Sequence, residues 1–324
     1  LCLSIALTMF GFWEALRENA KTYWGYIFFV GIGIGLLAKG PIIAILTLPP
    51  IFIWALITKN IKKIFLQLPW IVGVLLLLAI SIPWYVLAEL STPGFIDYFI
   101  IGEHYERYFN ADWKGDKYGF PKQQPLGMAW FFLIVFLLPW TIALIQLMIK
   151  KWKSMKQDRW ILFLLLWGIW TPLFFTSSKS LIHPYILPSC IPAALIITNY
   201  WTSLKNKKLY TGIAIGLPLL LLLIQLSGIA KSFYSHTTDK YLISNLNQVK
   251  KIYALDEKSY SSQFYTQGKV QLIKIDQFKS IMNSENPFYI IISNKHLKKV
   301  SFNLMSKLCK IDSNKNKGVY EFDP

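Results

Sequence analysis

From Pro83 to Pro125 the chain reads PWYVLAELSTPGFIDYFIIGEHYERYFNADWKGDKYGFPKQQP, with apolar runs long enough to cross a bilayer on both sides. Glu103, His104, Glu106 and Arg107 fall within five residues, and Tyr98, Phe99, Tyr105, Tyr108 and Phe109 lie around and between them. Connections this long are as a rule functional or disordered. Aromatics at this density argue against disorder. The stretch reads as a surface at the membrane face where a charged headgroup is handled.

Composition supports that setting. Of 324 residues, 54% are hydrophobic and only 16% charged, against about 25% charged in a soluble domain. The fold class is a polytopic α-helical membrane protein, because a soluble fold does not tolerate so many apolar runs. The net charge of +17 would raise nucleic acid as a partner of a soluble protein. Here it reads as the positive-inside signal of a membrane protein, with no nucleic acid implied. Cys2, Cys190 and Cys309 make no disulfide framework.

Outward from the loop, spans are expected at Leu1–Trp13, Tyr23–Ala38, Ile42–Ile57, Ile64–Ala88, Gly127–Ile149, Trp160–Phe175, Pro184–Trp201 and Leu209–Ala230. The chain opens inside an apolar run without a Met, which reads as a fragment lacking its N-terminal part. The connections after residues 15, 58, 149 and 202 are short and basic and fall on one side, assigned to the cytoplasm. Those around Lys39, 89–126 and 177–183 fall on the other, with Glu103, His104, Arg107, Lys179 and His183. Residues 1–230 are expected to form the transmembrane domain. Residues 231–324 turn Lys-, Ser- and Asn-rich, with β-like stretches at Ile252–Leu255, Val270–Ile275, Phe288–Ser293 and Val319–Phe322. Helical stretches fit at Tyr241–Val249 and His296–Met305. This predicts a small α/β domain on the outer, non-cytoplasmic face.

Three groups carry chemistry. Lys39, in AKGP, is either a snorkelling lysine at a helix C-terminus or a phosphate-binding cation at a cavity mouth, held by the break at Gly40-Pro41. On an α-helix His104 and Arg107 would share a face, with Glu103 turned about 100° away. Glu103 and His104 could contribute to a divalent-cation site, and Arg107 could pair with a phosphate. The plainer reading is an interfacial helix whose charges face water. In SSKSLIHPYILP, prolines recur at 184, 188 and 192. Broken backbone at membrane depth is tolerated only against protein or a watery cavity. The segment is thus either a simple turn or a cavity wall with Lys179, His183 and Tyr185 at its rim. No GxSxG, P-loop or dinucleotide fingerprint is present.

GLLAKGP, IPWYVLAELSTPGFIDYFIIGEHYERY, LLPW and FFTSSKSLIHPYILP, in this order, resemble bacterial membrane glycosyltransferases of the dolichyl-phosphate-mannose-protein mannosyltransferase class. Among these the likeness is greatest to the 4-amino-4-deoxy-L-arabinose lipid A transferases, and SYSSQFYTQGKVQLI is similar to their C-terminal domain. The resemblance implies a GT-C fold with catalytic loops on the periplasmic face of the bacterial inner membrane. It implies transfer of a sugar from a polyprenyl-phosphate donor to lipid A or a protein. It also implies a catalytic acidic residue in a loop preceding Leu1. By the same resemblance Glu103 and His104 shape the catalytic region or hold a cation, and Arg107 binds the donor phosphate. Leu181 and His183 depart from the family's pattern, which leaves the acceptor open.

The chemistry fits independently. A glycosyl-phosphate leaving group gains negative charge in the transition state, and Lys39, Arg107 and Lys179 are cations on the correct face to stabilise it. The expected function is therefore an inner-membrane glycosyltransferase with lipid A as acceptor. Protein O-glycosylation is the near rival. A lipid-linked sugar transporter and an assembly protein are the rivals of other classes. A transporter reading lacks the internal repeat common to such folds.

Overall fold

The structure is a computed structural model that describes residues 1–110, 113, 124–178, 180–229, 238–244, 246, 250–283 and 286–324. It comprises two compact units, Leu1–Tyr210 and Thr211–Pro324.

The first unit is helical. α1 (Cys2–Ala15), α2 (Tyr23–Lys39) and α3 (Ile42–Thr58) are followed by a short α4 (Ile61–Gln67) and the long α5 (Trp70–Ser91). A π-helix spans Asp97–Glu106 and runs into one α-turn, Arg107–Phe109. Then come α6 (Met128–Phe136), α7 (Trp140–Gln157), α8 (Arg159–Phe175), a 3₁₀ segment (His183–Ser189) and α9 (Cys190–Asn199). α10 (Lys207–Leu226) carries the boundary between the units.

Small residues let α1 and α2 touch backbone to backbone, as in many membrane helix pairs. A Cβ on Gly11 would come within 2.6 Å of the Phe28 backbone nitrogen, and one on Gly31 within 2.6 Å of that of Thr8. An aromatic core fills the space beneath. Phe12 stacks on Phe163 at 5.7 Å and meets Trp54 edge-on at 5.8 Å. The indole groups are also satisfied: Trp54 Nε1 donates to the Arg159 carbonyl at 2.9 Å, and Trp170 Nε1 to that of Ile45 at 2.8 Å. These bonds tie α3 to α8. Asp158 caps α8 by accepting from Trp160 N and Ile161 N.

Among the described residues two helices are long and apolar enough to cross a membrane alone, Trp70–Ser91 and Lys207–Leu226, with mean hydropathy 2.4 and 2.1. The chain is a membrane protein. Three expected spans are not continuous helices. Ile64–Ala88 breaks at Leu68-Pro69, where proline ends the α4 ladder. Gly127–Ile149 bends by 102° between α6 and α7, at Leu137–Pro139. Pro184–Trp201 opens as a 3₁₀ segment because its prolines remove the donors an α-helix needs.

In the second unit a five-stranded sheet has the order β2-β1-β3-β5-β4. The strands are β1 (Lys251–Leu255), β2 (Gln271–Ile273), β3 (Phe288–Ser293), β4 (Cys309–Ser313) and β5 (Lys317–Phe322). β1 pairs parallel with β2 and β3, while β5 is antiparallel to β3 and β4. Helices Tyr260–Tyr265 and Ile275–Met282 form the crossovers. The helix expected at His296–Met305 is two short ones, Asn294–Leu297 and Phe302–Met305. Of the helix expected at Tyr241–Val249, Lys240–Ile243 is formed, and residues 245 and 247–249 lie outside those described. Asp239 is buried and paired with Lys317 at 3.0 Å.

Candidate functional site

A cavity of about 140 Å³ lies in the first unit, where the C-terminal end of α2, the π-helix, the end of α8 and the 3₁₀ segment converge. Lys39, Glu103, His104, Arg107 and Tyr185 line its polar part, and Ile42, Ile45, Leu46, Phe174 and Phe175 its apolar part.

Each polar group is positioned by local structure. α2 ends at Lys39 because Gly40 turns into the left-handed region, with φ of 65°. A Cβ at Gly40 would lie 2.7 Å from the Phe99 ring and 2.9 Å from that of His104. The lysine ammonium sits 4.2 Å over the Tyr185 ring, a cation–π contact. Tyr85, from α5, donates its hydroxyl to the Leu36 carbonyl at 2.7 Å and secures the last turn of α2.

The π-helix determines the rest. Its wider turn brings residues five apart into register. Tyr98 Oη donates to Glu103 Oε1 at 2.6 Å, and His104 Nδ1 lies 2.7 Å from the Phe99 carbonyl oxygen. Arg107 Nη1 donates to Glu103 Oε2 at 2.6 Å. The α-helical expectation, with Glu103 turned away from the face shared by His104 and Arg107, is replaced by a Glu103–Arg107 pair. His104 turns instead to α2, with Nε2 2.9 Å from the Lys39 carbonyl.

Both His104 nitrogens therefore face carbonyl oxygens, and neither points to an open position that a cation could take. Among the described residues no group of three or more His, Cys, Asp or Glu side chains is placed to hold a metal ion. His183 is not among the lining residues. It stacks on Phe136 at 5.6 Å and is exposed. Lys179 and most of residues 111–123 lie outside the described residues. Ser178 and Ser180, buried beside the cavity and joined by a 3.0 Å bond, were not signalled by sequence, because two serines in a Ser-rich turn carry no pattern. Tyr108 was also missed as a strut. Its hydroxyl donates to the Phe174 carbonyl at 2.5 Å and fixes the π-helix to α8.

An apolar-walled cavity with fixed cations at one end suits an amphiphile with an anionic head. The chain is also similar to known proteins. Residues 1–99 match the family model for dolichyl-phosphate-mannose-protein mannosyltransferase. The chain is 31% identical over 213 residues to an undecaprenyl phosphate-α-4-amino-4-deoxy-L-arabinose arabinosyl transferase of Wigglesworthia glossinidia brevipalpis, a match covering 63% of this chain and 36% of the relative. It is 29% identical over 220 residues to the protein of the same description from Yersinia enterocolitica, covering 64% and 36%. The crystal structure of ArnT from Cupriavidus metallidurans bound to undecaprenyl phosphate superposes with a TM-score of 0.72 at 14% identity, over 99% of this chain and 73% of that one. The fold is that of the ArnT structure. In sequence the chain resembles the undecaprenyl phosphate-α-4-amino-4-deoxy-L-arabinose arabinosyl transferases, and its matched part spans little more than a third (36%) of those relatives' length.

Proposed function

We propose that the protein is an inner-membrane glycosyltransferase. It moves a sugar, 4-amino-4-deoxy-L-arabinose by resemblance, from a polyprenyl-phosphate donor to a lipid A-type acceptor on the periplasmic face. The observation that carries this reading is the convergence of Lys39 and Arg107 on one cavity with apolar walls. The walls suit the start of a polyprenyl tail and the cations its phosphate. Residues 231–324 are then a periplasmic domain.

Bond cleavage leaves polyprenyl phosphate with added negative charge. Lys39, held over Tyr185, and Arg107, held by Glu103, meet that charge without reorganising. The Glu103 carboxylate keeps the guanidinium aimed. Lys179 adds a third cation on the sequence reading. Deprotonation of the acceptor needs a base, a role distinct from that of these cations.

The match of residues 1–99 to a protein mannosyltransferase model favours a second reading, transfer to protein. Both readings are tested with the protein expressed from its complete gene, in membranes supplied with radiolabelled polyprenyl-phosphate sugar. Transfer to lipid A that falls about 10²–10³-fold in Arg107→Ala at equal expression is the expected result. Label entering protein keeps the chemistry and changes the acceptor. Full transfer by Arg107→Ala removes the donor-phosphate role, and donor crossing the membrane untransferred makes the protein a transporter.

A further inference from the structure

A second cavity, of about 260 Å³, opens at the other end of α2, between the α1–α2 turn and the α4–α5 break. Arg17, Asn19, Lys21, Thr22, Gly25 and Gln67 line it. α2 has 17 residues, so its two ends are about 25 Å apart. That is close to the roughly 30 Å of a bilayer's hydrocarbon core. Lys39 and the first cavity therefore lie at one membrane surface, and Lys21 and the second at the opposite one.

α4 fixes the level of that second surface. Ile64 is buried in the helical core, while Phe65 and Leu66 are 64% and 75% exposed. Phe65 stacks on Trp70 at 5.4 Å, so its apolar surface runs without a break into the exposed face of α5. Lys62 and Lys63 precede these side chains. This is the pattern of a helix lying in the interface, apolar residues in the acyl region and lysines among the headgroups. The cavity opens at the end of this helix, where Gln67 belongs to its lining. Its lining carries two cations, Arg17 and Lys21, and no carboxylate, although Glu14 pairs with Arg17 from beside it. Arg17 engages Glu14 through a single nitrogen, Nη1, and a guanidinium has five N–H donors.

We infer that this cavity binds the phosphodiester headgroup of an anionic phospholipid. Arg17 and Lys21 pair with the phosphate, Thr22 and Gln67 supply polar contacts, and the acyl chains lie against Phe65 and α5. Polarity and two cations suit a phosphate, and the adjoining lipid-facing surface assigns that phosphate to a lipid rather than a soluble anion. The site is separate from the donor cavity and does not depend on the proposed reaction.

The test is lipid retention by the full-length protein, purified in mild detergent, mixed with phosphatidylglycerol or phosphatidylcholine and weighed by native mass spectrometry. The expected result is selective retention of phosphatidylglycerol, weakened about tenfold in the double variant Arg17→Gln/Lys21→Gln. Retention should be unchanged in Lys150→Gln/Lys153→Gln, which removes two exposed lysines of α7. Gln67→Glu, which adds repulsion and leaves the cations in place, should weaken retention similarly if the double variant fails to fold. Equal loss in the α7 control reduces the effect to general surface charge and overturns the site. So does undiminished retention in both cavity variants, or displacement of the lipid by millimolar inorganic phosphate.

Discussion

The Nε2 atom of His104 lies 2.9 Å from the carbonyl oxygen of Lys39, across 65 positions of sequence. This contact joins the end of α2 to the π-helix, and with it the two cations at the cavity. The imidazole, bonded also to Phe99, acts as a spacer between two backbones.

His104→Ala removes both contacts and leaves two carbonyls to find water. The expected loss is about 1–3 kcal/mol in the binding of undecaprenyl phosphate, a rise in Kd of about 5- to 150-fold. His104→Gln, which keeps one donor, should recover part of it. Titration of the purified protein by intrinsic tryptophan fluorescence checks both. Equal affinity in all three proteins would show the spacer to be dispensable.

Gly40→Ala tests the same junction from the other side. The alanine must adopt a positive φ and place its Cβ 2.7 Å from Phe99 and 2.9 Å from His104. Strain of about 1–3 kcal/mol is expected, read as a lower thermal midpoint together with weaker donor binding. The same substitution at Gly212, where an added Cβ meets nothing within 4 Å, is the control.

Glu103→Gln keeps the shape but removes the charge that holds Arg107. The pair is partly buried, with side chains 16% and 21% exposed. We expect transfer to fall about tenfold or more, with the larger change in kcat if Arg107 acts mainly on the leaving group. Tyr98→Phe removes one hydrogen bond to the same carboxylate and should cost less. A Tyr98→Phe defect larger than that of Glu103→Gln would contradict this order.

How much of this was legible in the sequence depends on scale. The helical membrane class followed from apolar runs that any bilayer imposes, and the parallel strands from runs such as Phe288–Ser293, all but its last residue buried. β4 (CKIDS) is exposed along its whole length and carries no apolar alternation to announce it. Lys39, Glu103, His104, Arg107 and Tyr185 stood out as polar groups between spans, and the fold brings these five to one cavity. Their partners were hidden because the expectation assumed an α-turn. An i,i+5 pairing such as Tyr98–Glu103 becomes readable only when the winding is known.

In the second unit, the Lys250 ammonium bonds to Glu321 at 2.6 Å, and this bond raises its pKa above the ordinary lysine value. The sign follows from linkage. A raised folded-state pKa gives stability that is complete below the unfolded value of about 10.4 and is lost as pH rises through the folded one. Thermal unfolding of the protein should therefore show an alkaline decline above about pH 10 that is shallower in Lys250→Gln. Identical slopes in the two proteins would assign the decline to other groups.

The π-helix has one consequence for evolution and for engineering. Its five-residue spacing has an α-helical neighbour a single residue away, reached by deleting one position between Tyr98 and Glu103. That deletion would turn the Tyr98–Glu103 and Phe99–His104 pairs into four-residue spacings, which an α-helix also holds on one face. Loss of one residue at this point is thus absorbed by a change of winding, whereas loss of the Glu103 or His104 side chain is not.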